Sequence, residues 1–171
     1  IQVYDDDKID PENMNCQFYP IRAIGMSKVD ALSELVFEFT GTKLKVVHGR
    51  VTEDRSVRAD IVISAVDSME ARRVIFDNAI CKHFVDARMG AEYLTLYTVD
   101  LDNTKSIENY KKSLYSDSEA VQVRCTAKAT MYTVGLISGL IGKTIKDLAT
   151  GNEPITSLEW SVSSNNAIWF S

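Results

Sequence analysis

A chain of 171 residues that is 45% hydrophobic and 25% charged is long enough to bury a sizeable core, and its composition is that of an ordinary globular protein. Its net charge of −5 and pI near 5.1 argue against the basic face of a nucleic-acid-binding protein, so we expect no nucleic-acid partner. Three widely spaced cysteines without a C-x-x-C pair argue against a zinc site, and their odd number, without a signal peptide, predicts a reducing, cytoplasmic compartment.

The first quarter of the chain predicts a strand, a loop and a helix. Residues 1–4 form an apolar strand that ends at Asp5, and residues 5–27 form a polar loop. A helix follows from its N-cap Ser27 through about Thr40, and Gly41 ends it. Its apolar positions follow helical spacing and are expected to face inward: Val29, Leu32, Leu35, Val36 and Phe39.

The middle of the chain predicts alternating strands and helices. Residues 43–47 form a short strand, and the nearly continuous apolar run 61–66 is expected to be a central parallel strand buried on both faces. Asp67 follows that strand and, taken alone, is an ordinary N-cap for a helix over residues 69–81. The inward positions of this helix are Ala71, Val74, Ile75 and Ala79. A short strand is expected at residues 84–86.

The last third predicts a strand, a loop, a long helix and a hairpin. Residues 93–99 alternate with period two, so one face of this strand should be covered and the other partly exposed. Residues 100–124 are predicted to be a mobile crossover loop, with a helical turn or two at residues 107–114. A helix is expected over residues 126–149 and ends before Gly151. Strands at 158–162 and 167–170 complete a β-hairpin.

This order of elements predicts an α/β fold with a Rossmann-like, mostly parallel sheet, flanking helices, additional antiparallel strands and a C-terminal hairpin. We expect one domain over residues 1–171 and no membrane partner, because the longest apolar run, residues 131–141, is too short to cross a bilayer. A Rossmann unit carries its Gly-rich turn about 20 residues before an acid-tipped strand, and none of the eight glycines forms G-x-G-x-x-G. Either the N-terminal Gly-rich nucleotide-binding unit is missing from this sequence, or the chain cannot hold a nucleotide well.

Two residues near the start of the chain predict nucleotide chemistry. Asp5 stands at the carboxyl end of a strand, where an acid can accept hydrogen bonds from a ribose. Lys28 begins the next helix, where its ammonium group can reach phosphate oxygens. Together they predict half of a nucleotide site within the first thirty residues.

Five short motifs follow one another over about 150 residues. They are Asp5-Asp6-Asp7, Asn13-Met14-Asn15-Cys16-Gln17, Gly25-Met26-Ser27-Lys28, Asp67-Ser68-Met69-Glu70-Ala71-Arg72 and Cys125-Thr126-Ala127-Lys128. In this order and spacing the chain resembles the ThiF/MoeB/ubiquitin-activating-enzyme superfamily. Members of that superfamily are ATP-dependent adenylyltransferases that act on the C-terminus of ubiquitin-like and sulfur-carrier proteins.

The resemblance implies an ATP site in the first motifs. Asp5 would bind the ribose, and Asp7 would belong to the same nucleotide-binding group. Asn13 and Gln17 would line the phosphate region. Lys28 would bind the phosphates and stabilise the charge of the transferring group, which makes it both a cofactor-binding and a catalytic residue.

The later motifs imply the metal and the remaining catalytic residues. Asp67 would hold Mg²⁺ directly or through water, and Arg72 would be the catalytic arginine of the helix that follows. Cys125 would form a covalent link with the activated carrier at a helix N-terminus, or would be a buried, unreactive thiol. The implied partner is a β-grasp carrier protein, and a homodimer is the usual assembly.

The chain departs from the superfamily pattern at two positions. Cys16 stands where the pattern has a phosphate-neutralising arginine, a role open to Arg22 or to an arginine of a partner subunit, and Ser68 stands where it has an asparagine. An alternative function is therefore a non-catalytic scaffold or dimerisation subunit. A nicotinamide-dependent oxidoreductase is a third reading of Asp5, but it leaves Lys28 and the Asp67 motif unexplained.

Overall fold

The structure is a computed structural model that describes residues 1–115 and 130–170, except for the side chain of Asn13. The chain divides into two compact units, Ile1–Val51 and Thr52–Ser171. Three of the six strand pairings in the described residues are parallel and three are antiparallel. Helices alternate with the strands along the chain. The predicted α/β, Rossmann-like fold class is therefore confirmed.

The smaller unit contains two parallel strands joined through a helix. These elements are β1 (Gln2–Asp5), α1 (Lys28–Thr40) and β2 (Lys45–His48). The loop predicted between β1 and α1 contains two short 3₁₀ helices, Pro11–Asn15 and Ile21–Ala23. A small core fixes this loop, because Ile9 and Ala23 are buried together with Ala31 of α1.

Helix α1 begins and ends where the sequence predicts. Ser27 is its N-cap, and Gly41 ends it in the left-handed conformation, at a φ of 69°, which glycine adopts without steric cost. The prediction that Phe39 faces inward is wrong, since 85% of this residue is exposed. The 13-residue helix is about 20 Å long, whereas each four-residue strand spans about 13 Å, so the last helical turn extends past the strands.

The larger unit is built on a five-stranded sheet in the order β4-β6-β7-β8-β9. Its strands are β4 (Ile61–Ser64), β6 (His83–Gly90), β7 (Tyr93–Asp100), β8 (Ser157–Ser161) and β9 (Asn166–Phe170). The first pair is parallel and the others are antiparallel. Strands β3 (Val57–Arg58) and β5 (Ala79–Ile80) form a separate parallel pair. The predicted C-terminal hairpin is confirmed as β8 and β9.

Helices cover both faces of this sheet. On one face, α4 (Met131–Thr150) places Ile137 against a core that includes Val85, Leu94, Leu96 and Leu158. On the other face lie α2 (Met69–Asn78) and α3 (Thr104–Lys112). Their Phe76 and Tyr110 contact Phe84, Val62 and Val99 of the sheet. Neighbouring residues such as Phe84 and Val85 enter opposite cores because side chains alternate along a strand.

The burial of two strands differs from the predictions. Strand β4 was expected to be central, but it lies at the edge of the five-stranded sheet, and Ile63 is 43% exposed. Strand β7 was expected to have one covered face and one partly exposed face; residues 94–99 are buried or half-buried on both faces, and only Tyr93 is exposed. Leu96 lies in one core and Val99 in the other, because β7 is the middle strand and has helices on both sides.

Several helix and strand bounds also differ. Helix α2 ends at Asn78 rather than at Cys81, because Ala79–Ile80 pairs with β3. Helix α4 begins at Met131, and its N-cap Thr130 accepts a hydrogen bond from the N–H of Thr133 at 3.3 Å. The predicted start of this helix, residues 126–129, lies outside the described residues. The strand predicted at 84–86 extends over all eight residues of β6.

The predicted crossover segment, residues 100–124, contains helix α3. This helix overlaps the predicted helical turn at residues 107–114, but it begins earlier, at Thr104, and ends at Lys112. Residues 116–124 of that segment lie outside the described residues. In the described ranges 1–115 and 130–170, no helix has both the length and the apolar character needed to cross a membrane.

We expect Leu96→Ala to lower the free energy of unfolding by about 2–5 kcal/mol, because Leu96 is fully buried and truncation leaves a cavity. Urea denaturation followed by circular dichroism measures this change. The matched control is Ile168→Ala in β9, which is half exposed and should cost less than about 1 kcal/mol. Equal losses in the two variants would contradict the position of this core.

Candidate nucleotide site

The acidic loop after β1 is folded back on itself. The backbone N–H of Asp7 donates to Oδ1 of Asp5 at 2.7 Å, which forms a tight turn directly beyond the strand. One carboxylate oxygen from each of Asp5, Asp6 and Asp7 lies within 4.8 Å of the others. The register pairs Asp5 with His48, so the carboxyl ends of both parallel strands meet at this loop. Ligands of open α/β sheets bind at this kind of edge.

Lys28 is brought to the same loop by the N-terminus of α1. Its Nζ lies 2.7 Å from Oδ2 of Asp7, and its backbone N–H donates to the carbonyl oxygen of Asp7 at 3.0 Å. Partial burial alone would lower the pKa of Lys28, but the hydrogen bond to Asp7 and the charge of Asp5 outweigh it and hold that pKa above its usual value. Lys28 is therefore protonated at neutral pH, so three predicted site residues form one charged cluster.

Arg50 is a further cation of this loop that the sequence analysis did not identify. Its Nε lies 2.9 Å from both carboxylate oxygens of Asp6, and this pair is largely exposed. Its place in the sequence could have identified it, because Arg50 follows the end of β2 by two residues. The parallel pairing of the strands places that end beside Asp5. Lys28 and Arg50 thus pair with two of the three carboxylates of this loop.

The second motif lies in the 3₁₀ region of the same unit. Gln17 has a buried Oε1 without a hydrogen-bond partner in the described residues, and Cys16 is partly buried. The side chain of Asn13 lies outside what the structure describes. Arg22, one proposed substitute for the missing arginine, forms an exposed ion pair with Glu38 at 2.9 Å.

Asp67 lies in the larger unit, in the turn between β4 and α2, and is exposed. The interpretation of Asp67 as the N-cap of α2 is wrong, because Ser68 takes that place and accepts a hydrogen bond from the N–H of Ala71 at 3.2 Å. Ser68 thereby replaces the asparagine of the superfamily pattern with an equally good cap. An exposed carboxylate fits Mg²⁺, which commonly keeps several waters and takes one or two protein oxygens with substrate phosphates.

Arg72 is buried in the larger unit, only 3% exposed. Its Nη1 donates to Oδ1 of Asp86, and its Nη2 donates to the carbonyl oxygen of Val66. Asp86 in β6 is fully buried. The predicted catalytic arginine is therefore joined to a buried carboxylate and to the turn that carries Asp67.

A second arginine binds the other oxygen of Asp86. Nε of Arg88 donates to Oδ2 at 2.7 Å, and its other nitrogens donate to the carbonyl and hydroxyl oxygens of Ser113 at 2.9 and 2.8 Å. Tyr110 donates to Oδ2 at 3.1 Å. Burial, then the charge of Asp86, raises the pKa of Tyr110, so the phenol keeps its proton. Burial alone would lower the pKa of Arg88, but Asp86 raises it.

The family of the chain follows from a match that spans both units, since the ThiF family matches residues 1–168. The chain belongs to the ThiF family. Among solved structures, PaaA has a TM-score of 0.71 at 13% identity, over 98% of this chain and 63% of PaaA. E. coli MccB with ATP has a TM-score of 0.71 at 12% identity, over 99% of this chain and 55% of MccB.

A third solved structure is the microcin C7 biosynthetic enzyme MccB in complex with N-formylated MccA. It matches with a TM-score of 0.70 at 13% identity, over 99% of this chain and 56% of that one. The ThiF-family chain therefore spans little more than half of the MccB chains and under two thirds of PaaA. At these identities the likeness establishes a shared fold. No curated protein sequence matches this chain.

The cysteines of this ThiF-family chain differ in what the structure describes. Cys125 and the motif it begins lie outside the described residues. Cys16 is partly buried, as is Cys81, and burial raises the pKa of the Cys81 thiol, which makes it a poor nucleophile at neutral pH.

A cleft of about 860 Å³ lies between α3 and the sheet in the larger unit. It is lined by residues that include His83, Tyr97, Asn109, Tyr110 and Ser113. Asp67 and Arg72 do not line it. This cleft begins beside His83 at the start of β6, whereas Asp67 follows the carboxyl end of the neighbouring parallel strand β4.

We expect Tyr110→Phe to lower the free energy of unfolding by about 1.5–3 kcal/mol, because it removes a buried hydrogen bond to a charged carboxylate. The control is Tyr93→Phe, which removes an exposed hydrogen bond to Glu159 of 2.9 Å and should cost less than about 1 kcal/mol. Thermal and urea unfolding of both variants measure the difference, and a loss in Tyr110→Phe no greater than in the control would contradict the buried network.

Proposed function

We propose that this protein is an ATP-dependent adenylyltransferase of the ubiquitin-activating type, which acts on the C-terminal carboxylate of a ubiquitin-like or sulfur-carrier protein. The carrier has a β-grasp fold, and the enzyme works as a homodimer. The observation that carries this proposal is the cluster of Lys28, Asp5 and Asp7 at the carboxyl ends of two parallel strands. Membership of the ThiF family supports it independently.

The residues of the cluster suit the parts of ATP. Asp5 would accept hydrogen bonds from the ribose hydroxyls. Lys28 is held protonated beside Asp7, and its ammonium group would exchange that carboxylate for a phosphate oxygen when ATP binds. Asn13 and Gln17 would line the phosphate region.

The reaction requires charge neutralisation more than covalent help from the protein. A carboxylate oxygen of the carrier bonds to the α-phosphorus of ATP, the bond from that phosphorus to the bridging oxygen breaks, and pyrophosphate leaves with the electron pair. Lys28 would stabilise the charge that develops on the phosphate oxygens. Mg²⁺ held by Asp67, when bound, would neutralise and orient the leaving pyrophosphate.

Two solved structures of similar fold support this choice of substrates. One is E. coli MccB with ATP, and another is MccB with N-formylated MccA. For the present chain we accordingly propose a nucleotide and a second, carboxylate-bearing partner.

The proposal is tested by the exchange of labelled pyrophosphate into ATP. The assay contains Mg²⁺, the native full-length polypeptide and candidate carrier proteins. We expect carrier-dependent exchange to fall about 100-fold or more in Lys28→Ala and in Asp67→Ala. The first change removes a cation that would neutralise transition-state charge, and the second removes the carboxylate that would hold Mg²⁺.

Each control variant removes a residue of the same type, in the same compact unit, as the variant that it is compared with. Lys43→Ala removes an exposed lysine that precedes β2, and Asp77→Ala removes an exposed aspartate of α2. Both should keep exchange within about twofold of the parent protein. Absence of exchange and of ATP binding in the folded parent protein would overturn the proposal.

Cys125 is proposed to take the activated carrier as a thioester. Its thiolate attacks the acyl carbon of the adenylate, the bond to the phosphate oxygen breaks, and AMP leaves. We expect Cys125→Ala to retain pyrophosphate exchange but to lose the carrier adduct, which a non-reducing gel detects and a thiol reagent releases. Cys16→Ala and Cys81→Ala should keep the adduct, and an adduct that survives in Cys125→Ala would exclude this step.

A non-catalytic scaffold or dimerisation subunit is the second candidate. Cys16 favours it, because a thiol cannot neutralise phosphate charge. Such a subunit would bind a ThiF-family partner and show no ATP binding by calorimetry, whereas the enzyme binds ATP without any partner.

A further inference from the structure

The buried carboxylate of Asp86 has no role in the chemistry proposed above, yet it lies at the centre of the ionic network of the larger unit. We propose that Asp86 is a positioning residue, which acts through Arg72 to fix the backbone turn that carries Asp67. This inference deepens the proposed function and rests on it for the role of Asp67.

The position of Asp86 is tightly determined. Its two oxygens accept from Arg72, Arg88 and Tyr110, and no part of the residue is exposed. Removing charges from water is costly, so a buried ion pair persists only where hydrogen bonds satisfy it on several sides. A carboxylate with three donors from three different elements provides a rigid reference point.

Arg72 connects Asp86 to the turn through hydrogen bonds. One nitrogen of its planar guanidinium donates to Asp86 and another donates to the carbonyl of Val66, the residue that precedes Asp67. The two donors are rigidly related, so fixing one side of the fork also fixes the other. On the other side of Asp67, the carbonyl of Ser68 accepts the backbone N–H of Arg72 at 3.2 Å. The turn is therefore held at Val66 and at Ser68, with Asp67 exposed between them.

The second arginine of Asp86 provides an internal control. Arg88 binds the same carboxylate, but its other contacts are to Ser113 beyond α3 and not to the turn. If the network only stabilises the fold, then changes at Arg72 and at Arg88 should have similar consequences. If Asp86 positions the turn, only changes that break the path from Asp86 through Arg72 to Val66 should alter the turn.

The first measurement is amide hydrogen exchange of a peptide covering residues 65–72, in the full-length protein without nucleotide or metal. We expect exchange there to be about tenfold faster in Asp86→Asn, because the amide cannot satisfy both arginines. Arg72→Lys should give a similar increase, since one ammonium group cannot replace the fork that joins Asp86 to Val66. Arg88→Lys should leave this peptide within about twofold of the parent protein.

The second measurement is the Mg²⁺ concentration that gives half-maximal pyrophosphate exchange. It should rise about tenfold in Asp86→Asn and in Arg72→Lys, and no further in the double variant, because both changes break one path. A role of Arg72 in direct contact with substrate would instead lower the maximal rate in Arg72→Lys without changing peptide exchange. Where Asp86→Asn does not fold, Arg72→Lys alone decides between these outcomes.

The failure of this inference differs from the failure of the proposed function. An unchanged Mg²⁺ requirement in Asp67→Ala would remove the metal role of Asp67, whatever happens at Asp86. A raised requirement in Asp67→Ala, together with unchanged peptide exchange in Asp86→Asn and Arg72→Lys, would overturn the positioning role alone. Equal acceleration of peptide exchange in Arg88→Lys and Asp86→Asn would also overturn it.

Discussion

The burial of one carboxylate between two arginines constrains most of the larger unit. Asp86 is fully enclosed, and its partners come from α2, from α3 and from its own strand. Each partner is expensive to leave unpaired in a low-dielectric interior, so the helices can approach the sheet in few other arrangements. The aromatic contacts follow from the same geometry, since Tyr110 contacts both Phe76 and Phe84, and Arg88 lies over the ring of Tyr97.

The smaller unit also contains ion pairs between aspartates and basic residues, but these pairs are more exposed than the pairs of Asp86. Its pairs of Asp7 with Lys28 and Asp6 with Arg50 lie at the surface or are only partly buried. Exposed ion pairs contribute little to stability, typically about 0–1 kcal/mol, so their partners can be exchanged at low cost. This difference in burial separates the structural network of Asp86 from the nucleotide site proposed at Lys28, where a cation would have to transfer from a carboxylate to a phosphate oxygen.

The two departures from the superfamily pattern have different physical consequences. At Ser68 the change is conservative, because a serine hydroxyl caps α2 as well as an asparagine side chain would. At Cys16 a cation is lost, and a thiol cannot replace its charge. Arg22 and Arg50 lie in the same unit as Lys28, and each forms an exposed ion pair, with Glu38 and with Asp6 respectively.

Local sequence signals determined the class of the fold and the bounds of several elements. The strand that ends at Asp5, the helix between Ser27 and Gly41, and the hairpin of β8 and β9 all follow from short-range periodicity and capping residues. The motif order likewise identified the family, and the structure brings the motif residues Asp5, Asp7 and Lys28 together in one cluster. These features depend on residues within a few positions of each other or on a pattern read in order along the chain.

Only the tertiary structure decided which strands are central and which charges are buried. The apolar run of β4 could not reveal its edge position, and the alternation in β7 could not reveal helices on both faces, because burial depends on neighbours that are distant in sequence. In the same way, Arg72 was visible as a motif residue, but its partner Asp86 was not, since nothing local marks an aspartate in a strand as buried. Arg50 and Asp6 are 44 positions apart and meet only because β1 and β2 pair in parallel. Sequence periodicity thus determines the elements, whereas the pairing of distant segments decides their burial and their charge partners.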